Sequence, residues 1–330
     1  MSGAKRSAER GAALVIVLLL VATLSFIALA ISERTALSAN RAVNARSRSE
    51  LLWLGLGAEA LARGAIKASL GADKSAMTPE AALFAKPAEL PIEGGGAIMT
   101  FADRTRCFNV NSLVAKGSNE QAVPNSSAVE EFKVLMDEKA VSSAMGDAVI
   151  AAIIDWIDED ANQQPRGAED GYYVGLPAPY RTGGTRLADA SEVRAMSGAE
   201  RDIYRAIRPY ICAQPNEDGS PVNINMLTAD DAPILSALTQ GQISEQEAAS
   251  IIQDRPPGGY ESVEAFWAQP AFSGKTIDET MRGRVKLTSR YIEAYAVMNF
   301  GAASANLSML FEVPDSGAPR LVSRRIERFD

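Results

Sequence analysis

The chain has 330 residues, 47% hydrophobic and 22% charged, the composition of about two folded units and not of a disordered polypeptide. It contains no histidine, which excludes Ser-His-Asp and Cys-His nucleophile activation, HExxH zinc hydrolysis and Cys₂His₂ zinc fingers. A net charge of -8, from Lys+Arg 33 against Asp+Glu 41, opposes a nucleic-acid partner, and two cysteines, Cys107 and Cys212, fit neither a disulfide-rich scaffold nor a CxxC redox motif.

The first element is the uncharged run Ala12 to Ile31, AALVIVLLLVATLSFIALAI. As a helix it is about 30 Å long, the thickness of a bilayer's hydrocarbon core. Lys5, Arg6 and Arg10 outweigh Glu9 before it, so the positive-inside rule places the N-terminus in the cytoplasm and the bulk of the chain across the membrane. Three alternatives are open for this run: a secretory signal peptide cut near Ala28-Leu29-Ala30, a plain signal anchor, or a leader ending at Gly11 with the apolar helix kept. From Glu33 to Leu70 there is no proline, and Leu37, Val43, Leu51, Leu52, Leu54, Leu61, Ile66 and Leu70 recur at mixed steps among Arg, Glu, Ser and Ala, a continuation of the helix. One helix from Ala12 to about Leu70 would be roughly 88 Å long. A signal peptide has no reason to run into such a rod.

After a Gly/Pro-punctuated stretch ending in Gly94-Gly95-Gly96, the pattern predicts a strand pair, 97–102 and 106–110, turning at Asp103-Arg104. Three more strands are expected at 291–300, 303–313 and 320–329, with a hairpin at Pro314-Asp315-Ser316-Gly317. The middle reads as helical. Ser127/Glu130, Ser197/Glu200, Thr228/Asp231 and Ser244/Glu247 all have the form of helix-capping boxes. A faint repeat places Asn109-Val110-Asn111 and Asn223-Ile224-Asn225 before helical segments, where asparagines bond their own turns. The fold class expected is α+β: a long N-terminal helix packed on an antiparallel sheet, with a large helical domain inserted between strands.

Asp155 to Asp160 (DWIDED), Gly167-Ala168-Glu169-Asp170, Tyr172-Tyr173 and Pro177-Ala178-Pro179-Tyr180, together with both Asn-x-Asn motifs and the N-terminal leader, resemble the type II secretion minor pseudopilin K family. The resemblance implies a pilin-like fold and a place at the tip of a periplasmic pseudopilus, beside minor pseudopilins I and J and with H nearby. It also implies a protein with no enzymatic activity that supports export of folded proteins across the outer membrane. Prepilin peptidase is expected to cut between Gly11 and Ala12, and the new amine of Ala12 to be N-methylated. The expected segments are leader 1–11, membrane and stalk helix 12–31, the rest of the helix and first strands 32–114, insertion 115–285 and closing strands 286–330. Ile16 stands at the fifth mature position, where most pilins carry a Glu that pairs with a neighbour's N-terminus. A tip subunit has no such neighbour, so Ile16 suits the K family.

Asp158-x-Asp160-x-Asn162 reproduces EF-hand ligand positions 1, 3 and 5, and Glu169 falls at position 12. Gln163 replaces the Gly of position 6 and Pro165 occupies position 8, so a standard EF-hand is not expected. Family structures with calcium in an acidic loop of the insertion imply a calcium site here, with Asp158, Asp160, Asn162, Glu169 and Asp170 as candidates and Asp155 placed to cap. Cys107 and Cys212 are either bridged or two buried thiols. The competing function is a membrane-anchored DNA-binding protein, because residues 222–268 also resemble a helix-hairpin-helix module. Its phosphate-binding hairpin is degenerate, with a lone glycine at Gly241 and the carboxylates Glu245 and Glu247 added. A hydrolase using Asp155/Asp158 or Glu169/Asp170 is a third, weaker reading.

Overall fold

The fold is that of a computed structural model, which describes residues 3–72, 77–117, 121–216, 219–314 and 317–329. Helix α1 (Gly3–Ala72) runs unbroken for 70 residues. Nearly every described side chain from Leu14 to Glu50 is exposed, so this half of the rod is left largely uncovered by the other described residues. It is long and apolar enough to cross a membrane. Beyond it, Leu51, Leu54, Ala58, Ala62 and Ile66 are buried, and their steps of three and four put them on one face of the helix.

A single turn, α2 (Ala82–Ala85), buries Leu83 and leads into β1 (Ala88–Ile92) and β2 (Gly95–Asp103). Short strands β3 (Phe108–Asn109), β4 (Val114–Lys116), β5 (Ala122–Pro124), β6 (Ile211–Cys212), β7 (Val222–Asn223) and β8 (Val285–Lys286) belong to the middle of the chain. Three long strands close it: β9 (Tyr291–Phe300), β10 (Ala303–Glu312) and β11 (Arg320–Phe329). The main sheet has the order β1-β2-β9-β10-β11, antiparallel throughout, so strands from either side of the middle segment meet where β2 pairs with β9. Along β2, β9 and β10 one residue in two is buried, and Met99, Ala294, Ala296, Leu307 and Met309 form with the buried stripe of α1 one hydrophobic cluster. The architecture is therefore α+β, a long helix on an antiparallel sheet with a helical region inserted between strands.

The first hairpin differs from the expected one. β2 turns back on β1, with Ala88 opposite Met99, while Phe108–Asn109 leaves the sheet and pairs in parallel with Ile211–Cys212. Two features disguised this. Pro91 reads as a strand breaker but lies on an edge strand, where a missing N–H is tolerated. The glycine run reads as a linker, yet Gly94 makes the turn at φ +84° and a Cβ at Gly95 would overlap the Asn299 backbone of β9. Asp103 then turns the chain off the sheet, its carboxylate accepting the Thr105 N–H at 3.2 Å and the Thr105 hydroxyl at 2.8 Å.

Helices α3 (Ser126–Glu138), α4 (Ser143–Ile157), α5 (Asp170–Val174), α6 (Arg201–Ile207), α7 (Ala232–Leu238) and α8 (Glu245–Gln253) build the inserted region. Two of the expected caps shift: α3 is capped by Asn125, which accepts the Ala128 N–H, and α6 starts after Glu200 with no side-chain cap. Ser244 and Glu247 form a reciprocal box, and Asp231 accepts the Thr228 N–H at 2.8 Å. Asp315 and Ser316 of the expected last turn lie outside the described residues.

The Asn-x-Asn pairs do more than bond their own turns. Asn109 and Asn223 each accept the N–H two residues on, at 3.2 and 3.0 Å. Asn111 then clasps the N–H and C=O of Leu187 at 2.8 and 2.9 Å, and Asn225 does the same to Tyr260 at 2.8 and 3.1 Å. The first Asn of each motif also ends a strand of a two-strand parallel ladder, β3 with β6 and β7 with β8. Arg106 bonds Asp231 at 2.8 Å within the insertion, while Arg325 of β11 bonds Asp189 at 2.8 Å and Asn223 donates to the Met77 carbonyl at 3.1 Å, which tie the insertion to the rest of the chain.

Candidate metal centre

The strongest concentration of chemistry lies at the end of α4. That helix is apolar on nearly every side, and Val149, Ile150, Ile153, Ile154, Trp156 and Ile157 are all buried. Asp155, in its last turn, is fully buried, and Asp158 follows as the C-cap residue in extended backbone, 5% exposed. The loop then loops back. The Gln164 N–H donates to Asp155 Oδ1 at 2.9 Å, the Gly167 N–H donates to the Gln164 carbonyl at 2.8 Å, and Gln163 Nε2 donates to the Gly167 carbonyl at 2.6 Å. Arg166 takes φ +71°, so the left-handed turn an EF-hand makes at position 6 is made three residues later. A Cβ at Gly167 would overlap the Asp155 carboxylate, which fixes glycine there. Glu169, 8% exposed, stands at the N-cap position of α5 without a side-chain capping bond, its carboxylate turned toward Asp158.

Carboxylate oxygens of Asp158, Asp160 and Glu169 lie within 4.8 Å of one another. Asp158 Oδ1, Glu169 Oε1 and Asp155 Oδ2 are buried with no hydrogen-bond partner. Buried acceptors are normally paired, so three orphans at one place need a cation or protons. Burial, then the charges of Asp160, Glu169 and Asp155, push the Asp158 carboxyl up to about 7. Glu169 is raised by burial and by Asp155, and Asp155 by burial against the bonds it accepts. All donors are hard oxygens, a set that suits calcium over zinc or copper.

Not every candidate joins the cluster. Asp170 faces elsewhere: it accepts the Thr182 N–H at 2.9 Å, the Thr182 hydroxyl at 3.0 Å and Arg181 at 2.9 Å, and these bonds hold its carboxyl below the usual range. Asn162 is exposed and gives its backbone N–H to Asp160 Oδ1 at 2.7 Å. Asp155 is the residue that sequence spacing undervalued. Its signal is an acid inside an otherwise apolar helix, one turn before Asp158. Elsewhere, Cys107 and Cys212 are disulfide-bonded, joining the residue before β3 to the last residue of β6, and Gly11 and Ala12 lie within α1. At the helix-hairpin-helix turn, Gly241 is exposed beside Val134 of α3, Glu245 pairs with Lys139 at 3.3 Å, and Glu247 is held in its cap.

Comparison with known proteins follows the same outline. Models described as "Type II secretion system (T2SS), protein K" match residues 106–216 and 222–287, the two stretches that each begin at an Asn-x-Asn clasp. Type II secretion system protein K of Pectobacterium carotovorum subsp. carotovorum is 36% identical over 79% of this chain and 80% of its own length. The protein K of Klebsiella pneumoniae is 31% identical over 92% of each. Among solved structures, the GspK-GspI-GspJ complex from enterotoxigenic Escherichia coli aligns with a TM-score of 0.71 at 25% identity, covering 85% of this chain and 96% of that one. With two matched segments filling most of the insertion and relatives at 31–36% identity over 79–92% of the chain, the chain belongs to the type II secretion system protein K family.

Proposed function

We propose that the chain is the minor pseudopilin at the tip of a type II secretion pseudopilus, assembled with pseudopilins I and J and in contact with H, and that it supports export of folded proteins across the outer membrane. The observation that carries this reading is the likeness to the K subunit of a K-I-J complex over 96% of that subunit. Two features of this chain support the tip position. The insertion, residues 104–290, adds a broad mass beside the sheet that could not be repeated along a tightly wound filament. Ile16 offers no carboxylate to a subunit above.

In this reading α1 is a single-pass anchor in the inner membrane, in contact with its lipid. The N-terminus faces the cytoplasm before processing and the bulk lies in the periplasm. Prepilin peptidase cuts after Gly11, and Ala12 becomes the N-methylated mature terminus. The protein works by assembly, with no substrate turnover and no nucleic acid bound. Calcium, held by Asp158, Asp160 and Glu169 with Asp155 behind them, would neutralise the buried carboxylates and fix the loop joining α4 to α5.

The test is recovery of the full chain from membranes in which I and J of the same system are co-produced. Both partners should co-purify with it in fixed ratio. Recovery of the chain alone, with I and J still paired to each other, would contradict the proposal.

A further inference from the structure

On the exposed rod of α1, Arg34, Ser38, Arg41, Ala45, Arg48 and Leu52 follow one another at alternating steps of four and three. That spacing is a heptad seam, one continuous stripe on one side of the helix. All of these side chains are exposed, and Arg34, Arg41 and Arg48 have no acidic partner among the described residues. Other arginines of the same helix do: Arg46 pairs with Glu50 at 4.0 Å and Arg63 with Glu59 at 2.9 Å. The seam ends in an apolar cleft of about 140 Å³ on the β11 side, lined by Leu52, Leu56, Met298, Leu307, Arg324 and Ile326.

We propose that this stripe is the docking seam for the stalk helix of one acidic pseudopilin partner, which lies alongside α1 with carboxylates a heptad apart and an apolar side chain in the β11-side cleft. The inference deepens the proposed function and rests on it, because the partner must be anchored in the same membrane to lie alongside. Charge complementarity selects an acidic helix: three unpaired guanidinium groups in register form a ladder. Ser38 and Ala45 between them are small enough for two helix axes to approach closely. From Arg34 to Leu56 the seam is about 33 Å long, a straight helical surface that a second rod matches. Lipid headgroups do not match it. Arg34 stands about 5 Å past Ile31, within the interfacial layer, but Arg41 and Arg48 stand about 15 and 26 Å past it.

The experiment co-produces the full chain with I and J of its own system, solubilises the membranes and measures the I and J recovered with it. Arg41→Glu with Arg48→Glu should lower recovery at least tenfold, whereas Arg46→Glu, off the seam, should stay within twofold. As a second readout, Ala45→Cys should be shielded from a maleimide in the complex and Ala39→Cys, round the helix, should not; Cys107 and Cys212, being bridged, leave no other thiol. Unchanged recovery and an unshielded Ala45→Cys would overturn the seam and leave the pseudopilin reading standing. Failure of the parent chain to recover I or J would overturn both. Loss of binding to phosphatidylglycerol vesicles with I and J recovery intact would assign the arginines to lipid and overturn the proposal.

Discussion

Single side chains carry much of the insertion's definition. Asn225 offers one amide to both backbone groups of Tyr260, and Asn111 repeats this at Leu187. Asn225→Ala would leave a buried N–H and C=O unpaired, so a loss of about 2–4 kcal/mol is expected in urea unfolding of the sheet and insertion. At the candidate metal centre, the proposed calcium should raise the melting temperature of the parent; Asp158→Asn with Glu169→Gln should abolish that rise, while Asp170→Ala should retain it, because Asp170 is occupied by Thr182 and Arg181. A calcium shift that survives the double variant would remove these residues from the site. The acidic spacing was legible in the sequence, but the commitment of each carboxylate was not. Asp170 and Glu169 are adjacent and chemically alike, and only the path of residues 177–182 separates their roles.

At the scale of elements, the parts with a clear period were legible and the parts with remote partners were not. The rod and the last three strands follow from helical spacing in 51–66 and from alternation in 303–312. The β1–β2 hairpin hid behind Pro91 and three glycines, whose purpose is visible only once β9 lies against them. The β3–β6 and β7–β8 ladders pair strands of two residues each, too short for any pattern to show. The first ladder is closed by the Cys107–Cys212 bridge, with a sequence separation of 105. Replacing both cysteines by serine should cost roughly 3–5 kcal/mol, the entropy of closing a loop of that length. Equal urea midpoints for parent and variant would contradict it. The helix-to-sheet contact has its own test: Leu51→Ala, at a position 1% exposed, should destabilise by about 2–5 kcal/mol.

For the whole molecule, the junction between sheet and insertion predicts a pH response. Asp103 is buried there beside Thr105, Ser289 and Arg106, and burial raises its carboxyl from 3.8 to about 6 despite the bonds it accepts. Between those values the folded protein holds a proton that the unfolded chain has released, so its contribution makes stability fall as pH rises across the window. Asp103→Asn should therefore flatten the parent's slope between pH 4 and 6 by up to about 3 kcal/mol, read from urea midpoints at each pH. An identical slope in the two proteins would refute the assignment. The claim on which the whole account turns is that the apolar rod is kept, not removed, and serves as a pseudopilin stalk. The mass and sequence of the mature N-terminus, taken from a strain with its own prepilin peptidase, test it most directly. The account predicts a chain beginning at N-methylated Ala12, and a chain beginning at Met1, Ser2 or Ile31 would contradict it.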